Sequence, residues 1–403
     1  MQRRAFLSLL PALAFAPSLL SAQAESTALQ VHDLTSIAPL LARLPRAMQP
    51  WLGMAAHRVE IILERSVPGT DIWHVARHGT QWARTWSPAA SVAKLPMALL
   101  VAEQLQAAGV DASAVIQLDA SPATGEWGEG ESLASTFRRD LSRTFAVSDN
   151  VPYNRWYELL GPDAIHARLK ALGYPHVRMV SRLGSTDVEA NRRTGAGRVI
   201  AADGSVVVAV PARVAQARRF PFGAAPLGNA WQSDDGRVVH APRDMRFANF
   251  LPLADSLRML RAFVRPESVP MHQRWRIDGA LRVQLLRALS LRPRDSIDPV
   301  FAPEQALDGY ARFFLHGGDG RAPRPDGVSV LGKSGEAYGY LSEVAHVVEP
   351  ATGVEFLLAA RVQANADGVV NDDRYEYDTV ARPLLAAIGD AALAIERERM
   401  QRD

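Results

Sequence analysis

Strand-like segments stand near both ends of this chain, and helical patterns fill most of what lies between them. Val59 to Leu63 and Asp71 to Val75 are short and rich in branched or aromatic residues, with Pro68-Gly69 as a turn between them. Near the other end, Val328 to Leu331, Val344 to Val348 and Val354 to Leu358 repeat the pattern, the last two joined by the turn-rich Pro350 to Gly353. Helical spacing precedes the first pair, with Leu40, Leu41, Leu44 and Met48 sharing a face within Thr27 to Gly53. It returns after the last strand, with Val380, Leu384, Ile388 and Ile395 near one face of Thr379 to Met400. A sheet whose strands come from both ends must close around whatever the middle forms. The expected class is α/β, an α+β sandwich: five strands flanked by N- and C-terminal helices, built from residues 25–90 and 325–403, with a helical lobe over 91–324 between them.

Two dipeptides interrupt the helical middle. Asp203-Gly204 lies between Val199-Ile200 and Val206-Val207-Val208, and Asp235-Gly236 lies between Trp231 and Val238-Val239. Asp-Gly between apolar residues signals a hairpin, because type I′ turns need positive φ at both central positions. A β-hairpin insertion is therefore expected over residues 192–244 of an otherwise all-helical lobe.

Composition narrows the function classes. With 48% apolar and 22% charged residues the chain reads as globular, and its net charge of +2 gives no basic surplus for nucleic acid. The absence of cysteine excludes disulfides, thiolate catalysis and cysteine-based metal sites. Only three of the 45 basic residues are lysines: Lys94, Lys170 and Lys333. An ammonium can lose its proton when desolvated, whereas a guanidinium effectively cannot, so a lysine in so arginine-rich a chain can mark chemistry that arginine cannot serve.

The first 24 residues read as an export leader. A charged start leads into the apolar run Phe6 to Leu20, and Ala22-Gln23-Ala24 supplies a small-x-small cleavage pattern. Arg3-Arg4-Ala5-Phe6-Leu7 resembles the twin-arginine signal, with a general secretory leader as the alternative. Pro11 and Pro17 interrupt the run, and no later segment is apolar for the ~18 residues a membrane span needs. The expectation is a periplasmic monomer with no membrane span in the mature chain, no nucleic-acid partner, no metal and no cofactor.

Three motifs carry chemistry. Ser91-Val92-Ala93-Lys94 sets a hydroxyl and an amine three residues apart at a helix start, where i and i+3 are neighbours; the apolar Leu95 to Leu100 that follows points to burial. A neutral Lys94 can take the proton of Ser91. Ser148-Asp149-Asn150 precedes the helical Tyr153 to Leu160 and also fits a plain N-cap. Lys333-Ser334-Gly335 follows a β-like run, where a cation and a hydroxyl can meet a substrate carboxylate and glycine admits close backbone approach. Gly327 to Ser334 also matches the phosphate-loop pattern G-x-x-x-x-G-K-[ST], but that motif needs a helix after it, and Gly335 and Gly339 oppose one.

In the order S-x-x-K, S-D-N, K-[ST]-G, the three resemble the signature of class A β-lactamases and their penicillin-binding relatives. The resemblance extends over Ala90 to Pro96, over Val147 to Asn150 with Asn154 and Glu158 to Gly161, and over Lys333 to Val348. It implies an antiparallel sheet and an exported serine hydrolase. Ser91 would attack a β-lactam or peptide carbonyl, Lys94 would act as base or proton relay, and Ser148 would pass the proton to the leaving nitrogen. Asn150 would bind the substrate amide, Lys333 and Ser334 its carboxylate, and the amides of Ser91 and Glu336, beside Gly335, the oxyanion. The substrate would be a small-molecule β-lactam or a peptidoglycan-type acyl compound. β-Lactam hydrolysis is the first reading. A D,D-peptidase or esterase is the second, and a penicillin-binding sensor that is acylated without turnover is the third.

Two departures stand out. Where the family places a glutamate four residues before an asparagine to activate the deacylating water, this chain offers Asp187 and Asn191, after Ser181-Arg182-Leu183, with Glu189 two residues out of register. The interval from Asn191 to Lys333 is also about twice that of compact relatives, which is where the insertion falls. Trp127 reads as a wall of the site or as packing. His74 and His78 have metal-ligand spacing for a helix but lie in a strand-like run.

Overall fold

A computed structural model describes residues 31–33, 36–66 and 73–402. The leader and the Pro68-Gly69 turn lie outside the described residues. The central sheet has strands β1 (Val31–Asp33), β2 (Glu60–Ser66), β3 (Trp73–His78), β4 (Ser329–Ala337), β5 (Tyr340–Glu349) and β6 (Val354–Gln363), in the order β1-β3-β2-β6-β5-β4. The five expected strands are antiparallel, and a short sixth, β1, adds to β3 in parallel.

Both faces of the sheet are covered, and the period-2 alternation of its strands sorts side chains between them. Ile61, Leu63, Leu341, Ala345, Leu358, Ala360 and Val362 meet the C-terminal helix through Leu384, Leu385 and Ile388. Ile62, Val344, Leu357 and Ala359 turn the other way, toward Leu95, Leu99, Leu257 and Leu260 of the helical region. That is why β5 and β6 are buried along nearly their whole length.

The principal helices are α1 (Lys94–Ala107), α2 (Phe137–Ala146), α3 (Asn150–Leu160), α4 (Leu253–Val264), α5 (Gly279–Leu289) and α6 (Arg382–Met400). No helix among the described residues is long and apolar enough to cross a membrane. α1 is buried almost all round, as befits a helix at the centre of its layer. Thr136 caps α2 through Arg139 N (3.2 Å), and Asp149 caps α3 through Val151 N (2.8 Å). The N-terminal helical stretch divides into Ala38–Leu41 and Gln49–Gly53, because Pro45 and Pro50 each remove a backbone donor.

The lobe between the sheet halves is not all helical. Ala134–Thr136, Val115–Leu118, Gly197–Ile200 and Val206–Val210 form a four-stranded antiparallel sheet in that order. Both Asp-Gly hairpins exist, but Gly204 (φ +84°) and Gly236 (φ +82°) are the residues with positive φ there, so the turns are wider than type I′. The inserted Ala230–Gln232 pairs in parallel with Val369–Val370, beyond β6, and Phe220, Leu227 and Met245 pack with Trp86, Phe250 and Tyr340.

Candidate active site

Ala90–Ala93 forms one 3-10 turn that runs directly into α1, so Ser91 stands half-buried at the mouth of the helix and Lys94, its first residue, is fully buried. Lys94 Nζ lies 2.8 Å from Ser91 Oγ and 3.2 Å from Ser148 Oγ, and it also meets the Ser148 backbone carbonyl. Ser148 sits in the left-handed region (φ +60°) between α2 and α3, a conformation a non-glycine residue holds only where its surroundings fix it. That twist turns its carbonyl and hydroxyl toward the amine.

Lys333 arrives from edge strand β4. Its Nζ donates to Ser148 Oγ (3.0 Å) and to the carbonyl of Ser334 (2.7 Å), and it too is fully buried. The strand comes this close because position 335 has no side chain: a Cβ there would lie 2.8 Å from Ser91 N, 2.9 Å from Val92 N and 3.0 Å from Ala90 Cβ. Ser334 is buried as well and donates to the carbonyl of Ala311 (2.6 Å). The 311–314 stretch is held in turn by Glu343, which accepts the N–H groups of Phe313 (2.7 Å) and Phe314 (2.8 Å). Glu336, next on the edge strand, approaches Arg382 at 3.9 Å. The phosphate-loop reading fails here, because Ser329–Ala337 is continuous strand and no helix follows it.

Electrostatics follow from burial. Desolvation lowers the Lys94 pKa from 10.5 to about 7, against the opposing charges of Asp149 and Glu126. Lys333 is pushed well below its ordinary value by desolvation, and further by the charges of Lys94 and Arg312, with Glu343 opposing. An amine poised near neutrality beside a half-exposed hydroxyl is what nucleophile activation requires: the neutral Nζ offers one lone pair to the Ser91 O–H.

Not every expected residue joins this cluster. Asn150 is half-buried at the first turn of α3. Asp187 is exposed and caps the helical turn Val188–Arg192 by accepting Ala190 N (2.9 Å), an ordinary use of an aspartate before a helix. Asn191 is buried within its own loop, accepting Arg182 N (3.0 Å) and donating to Ser185 (3.0 Å). Among the described residues, neither makes a hydrogen bond to Ser91, Lys94, Ser148 or Lys333. Glu189 pairs with Arg192 on the surface. Trp127 packs under the Arg155 guanidinium, 5.1 Å from its ring centroid. His78 bonds the carbonyl of Leu52 (3.1 Å) from a strand rather than a helix.

Sequence reasoning gave no role to two residues. The buried Asn154, one turn after Asn150, accepts Leu183 N (2.8 Å) and donates to Leu183 O (3.1 Å) and Glu126 O (2.9 Å). It thereby fastens an aliphatic residue, Leu183, and an acidic one, Glu126, on either side of its amide. Asn154 was visible as part of the helix following Ser148-Asp149-Asn150, whereas Glu126 lies in aperiodic loop and left no signal beyond its neighbour Trp127.

Residues 80–209, which hold Ser91, Lys94 and Ser148, match the family described as Beta-lactamase enzyme family. Over that span, about a third of the chain, the sequence is similar to the β-lactamase family. Among solved structures, a β-lactamase from Streptosporangium roseum is 15% identical over 88% of this chain and 99% of its own, with a TM-score of 0.50. PBP-A is 12% identical over 91% and 99% (TM-score 0.49), and a β-lactamase from Xanthomonas campestris is 16% identical over 87% and 95% (TM-score 0.48). At such identities the likeness is one of fold. No curated protein matches the sequence. Lys333 lies outside the matched span and reaches the cluster from β4.

Proposed function

We propose that this protein is an exported serine hydrolase that takes β-lactams as acyl donors and hydrolyses them through a Ser91 acyl-enzyme. The observation that supports this most directly is the hydrogen-bonded run Ser91–Lys94–Ser148–Lys333, with Lys94 buried and poised near neutrality. In this reading neutral Lys94 accepts the Ser91 proton as Oγ bonds to the lactam carbonyl carbon. The oxyanion is met by the amides of Ser91 and Glu336, each such donor being worth about 3 kcal/mol. The C–N bond then breaks, and the proton reaches the leaving nitrogen through Ser148, which touches both amines. Lys333 and Ser334 receive the substrate carboxylate, and Asn150 its amide side chain. In this reading the acyl donor sits between the sheet unit and the 91–324 unit.

A second reading, a penicillin-binding protein whose acyl-enzyme persists, draws support from the loop geometry. Asp187 is engaged as a cap, and the loop residue that Asn154 fastens is Leu183, which has no group to activate water. Export to the periplasm by the twin-arginine route completes the proposal, and replacing Arg3 and Arg4 by lysine is expected to leave the precursor in the cytoplasm.

Mixing the purified chain with a fluorescent penicillin and with a chromogenic cephalosporin tests both readings. Rapid colour change supports hydrolysis, and a stable label supports the second reading. If neither reagent reacts, β-lactams are not its acyl donors. Ser91→Ala is expected to abolish both signals, and a signal that survives it rejects Ser91 as nucleophile.

A further inference from the structure

One row of the central sheet ends at the nucleophile's turn. Gly335 on β4 lies opposite Ser342 on β5, Ser342 opposite Arg361 on β6, and Arg361 opposite Glu60 on β2. Directly paired residues point to the same face, here the one that carries Ile62, Val344, Leu357 and Ala359 toward the helical region. Those neighbours are apolar. Arg361 is not, and it is buried, so a guanidinium stands where packing alone calls for an aliphatic side chain.

Its partners account for its place. Nε donates to Ser342 Oγ (3.0 Å), Nη1 to Ser87 Oγ (2.5 Å) and Nη2 to the carbonyl of Leu251 (3.1 Å), while the Glu60 carboxylate stands 3.6 Å from Nη1. Ser87 and Ser342 are buried with it. Ser87 precedes the Ala90–Ala93 turn, and Ser342 lies across from the glycine that leaves no room for a Cβ beside the Ser91 amide. Between Ser87 and Ser91 the backbone is strained: Ala90 holds φ +45°, a left-handed conformation that an alanine keeps only under constraint. On the approach side that constraint is the bond from Arg361 to Ser87, together with the bridge of Pro88 to Phe250, the residue before Leu251.

We infer that Arg361 is a positioning residue for acylation: by holding Ser87 and Ser342 on one guanidinium, it fixes the gap between the Ser91 amide and the Glu336 amide of β4, where the oxyanion develops. This rests on the acyl-enzyme reading above. The arginine touches no reacting atom. Its effect falls on the bond-forming step, because amides set slightly too far apart still admit the substrate carbonyl but meet its oxyanion poorly.

Stopped-flow labelling of the full chain over a range of fluorescent penicillin concentrations separates the affinity of the first complex from the acylation rate constant. Ser87→Ala and Ser342→Ala each leave the guanidinium its other partners; each is expected to lower that rate constant about tenfold and to keep the affinity within about twofold. Together they are expected to lower it little more than either alone, since both act through one side chain. The infrared stretch of the acyl carbonyl is expected to rise in both, as hydrogen bonds to its oxygen weaken. Arg168→Met breaks a different buried ion pair, with Glu103, about 14 Å along α1 from Lys94. It is expected to lower the thermal midpoint and to leave the rate constant within about twofold. A parent-like rate constant or carbonyl stretch in either serine variant overturns the assignment and leaves the acyl-enzyme reading standing. So does a double variant whose loss is the product of the two, or an Arg168→Met chain slowed as much as they are. If Ser342→Ala fails to fold, Ser87→Ala decides: a loss of about tenfold with a raised stretch upholds the assignment, and parent-like values overturn it. A parent chain that no β-lactam labels overturns both.

Discussion

Lys94 and Lys333 reach the same hydroxyl, that of Ser148, at 3.2 and 3.0 Å. Two buried amines on one oxygen cannot both carry a full charge at low cost, because like charges at this range, removed from water, each disfavour the other's ionisation. At least one is neutral at working pH, and it is Lys94 that touches Ser91.

Acylation should therefore rise with pH through about 7, as Lys94 loses its proton and becomes a base. The Asp149 charge favours the ammonium, so Asp149→Asn, which keeps a capping side chain on α3, is expected to lower the Lys94 pKa and move this limb to lower pH. Stopped-flow acylation across pH measures the shift. A limb that stays put or moves upward contradicts it.

The same burial taxes stability. Between about 7 and 10.5 the unfolded chain holds the Lys94 proton and the folded chain does not, so folding stability rises with pH there. Lys94→Met removes the ionisation. It is expected to be inactive yet more stable than the parent near pH 7, with the difference shrinking as pH rises, at up to ~1.4 kcal/mol per unit. Denaturant unfolding at several pH values reads the difference directly. A constant difference would show that Lys94 does not titrate in that window.

Gly335→Ala brings a methyl group against the amides of Ser91 and Val92 and against Ala90 Cβ, none of which can swing aside. Overpacking of this kind costs about 1–3 kcal/mol, and here it also pushes the edge strand from the nucleophile. Acylation is expected to fall by about tenfold or more while the fold survives. Parent-like acylation would mean that β4 need not lie this close.

Asp187→Ala removes a helix cap worth about 1 kcal/mol and is expected to lower the thermal midpoint without changing acyl-enzyme lifetime by more than about twofold. Asn191→Ala leaves Arg182 N–H without its acceptor inside the loop and is expected to cost more, about 1–3 kcal/mol. Thermal unfolding ranks the two. A tenfold longer lifetime in Asp187→Ala would return Asp187 to the chemistry.

What the sequence revealed of this site was local. Ser91 and Lys94 meet because a helix brings i and i+3 together, and the apolar run after Lys94 is itself a sign of its burial. The strands of the central sheet were visible for a similar reason: alternation in Val344 to Val348 and Val354 to Leu358 is a property of each segment alone. Asp187 was ambiguous because an aspartate ahead of a short helix satisfies capping and catalysis equally well on paper, and in the structure its carboxylate caps Val188–Arg192. Glu126 was invisible because its position depends on Asn154, Gly125 and Gly184 acting together, which no spacing rule captures. The four-stranded sheet was missed for want of length: Val115–Leu118 finds Gly197–Ile200 across nearly eighty residues, and each strand is too short to show a period.

The close approach of Gly335 to the Ala90–Ala93 turn has a bearing on how the protein is made. Ser91 lies far ahead, in the sequence, of the strand that packs against it, and that strand needs Tyr340–Glu349 to pair with. In an unfolded chain the Lys94 amine is hydrated and keeps its proton, so Ser91 has no neutral base beside it. On the reading proposed above, Ser91 gains a working base only once that strand has docked.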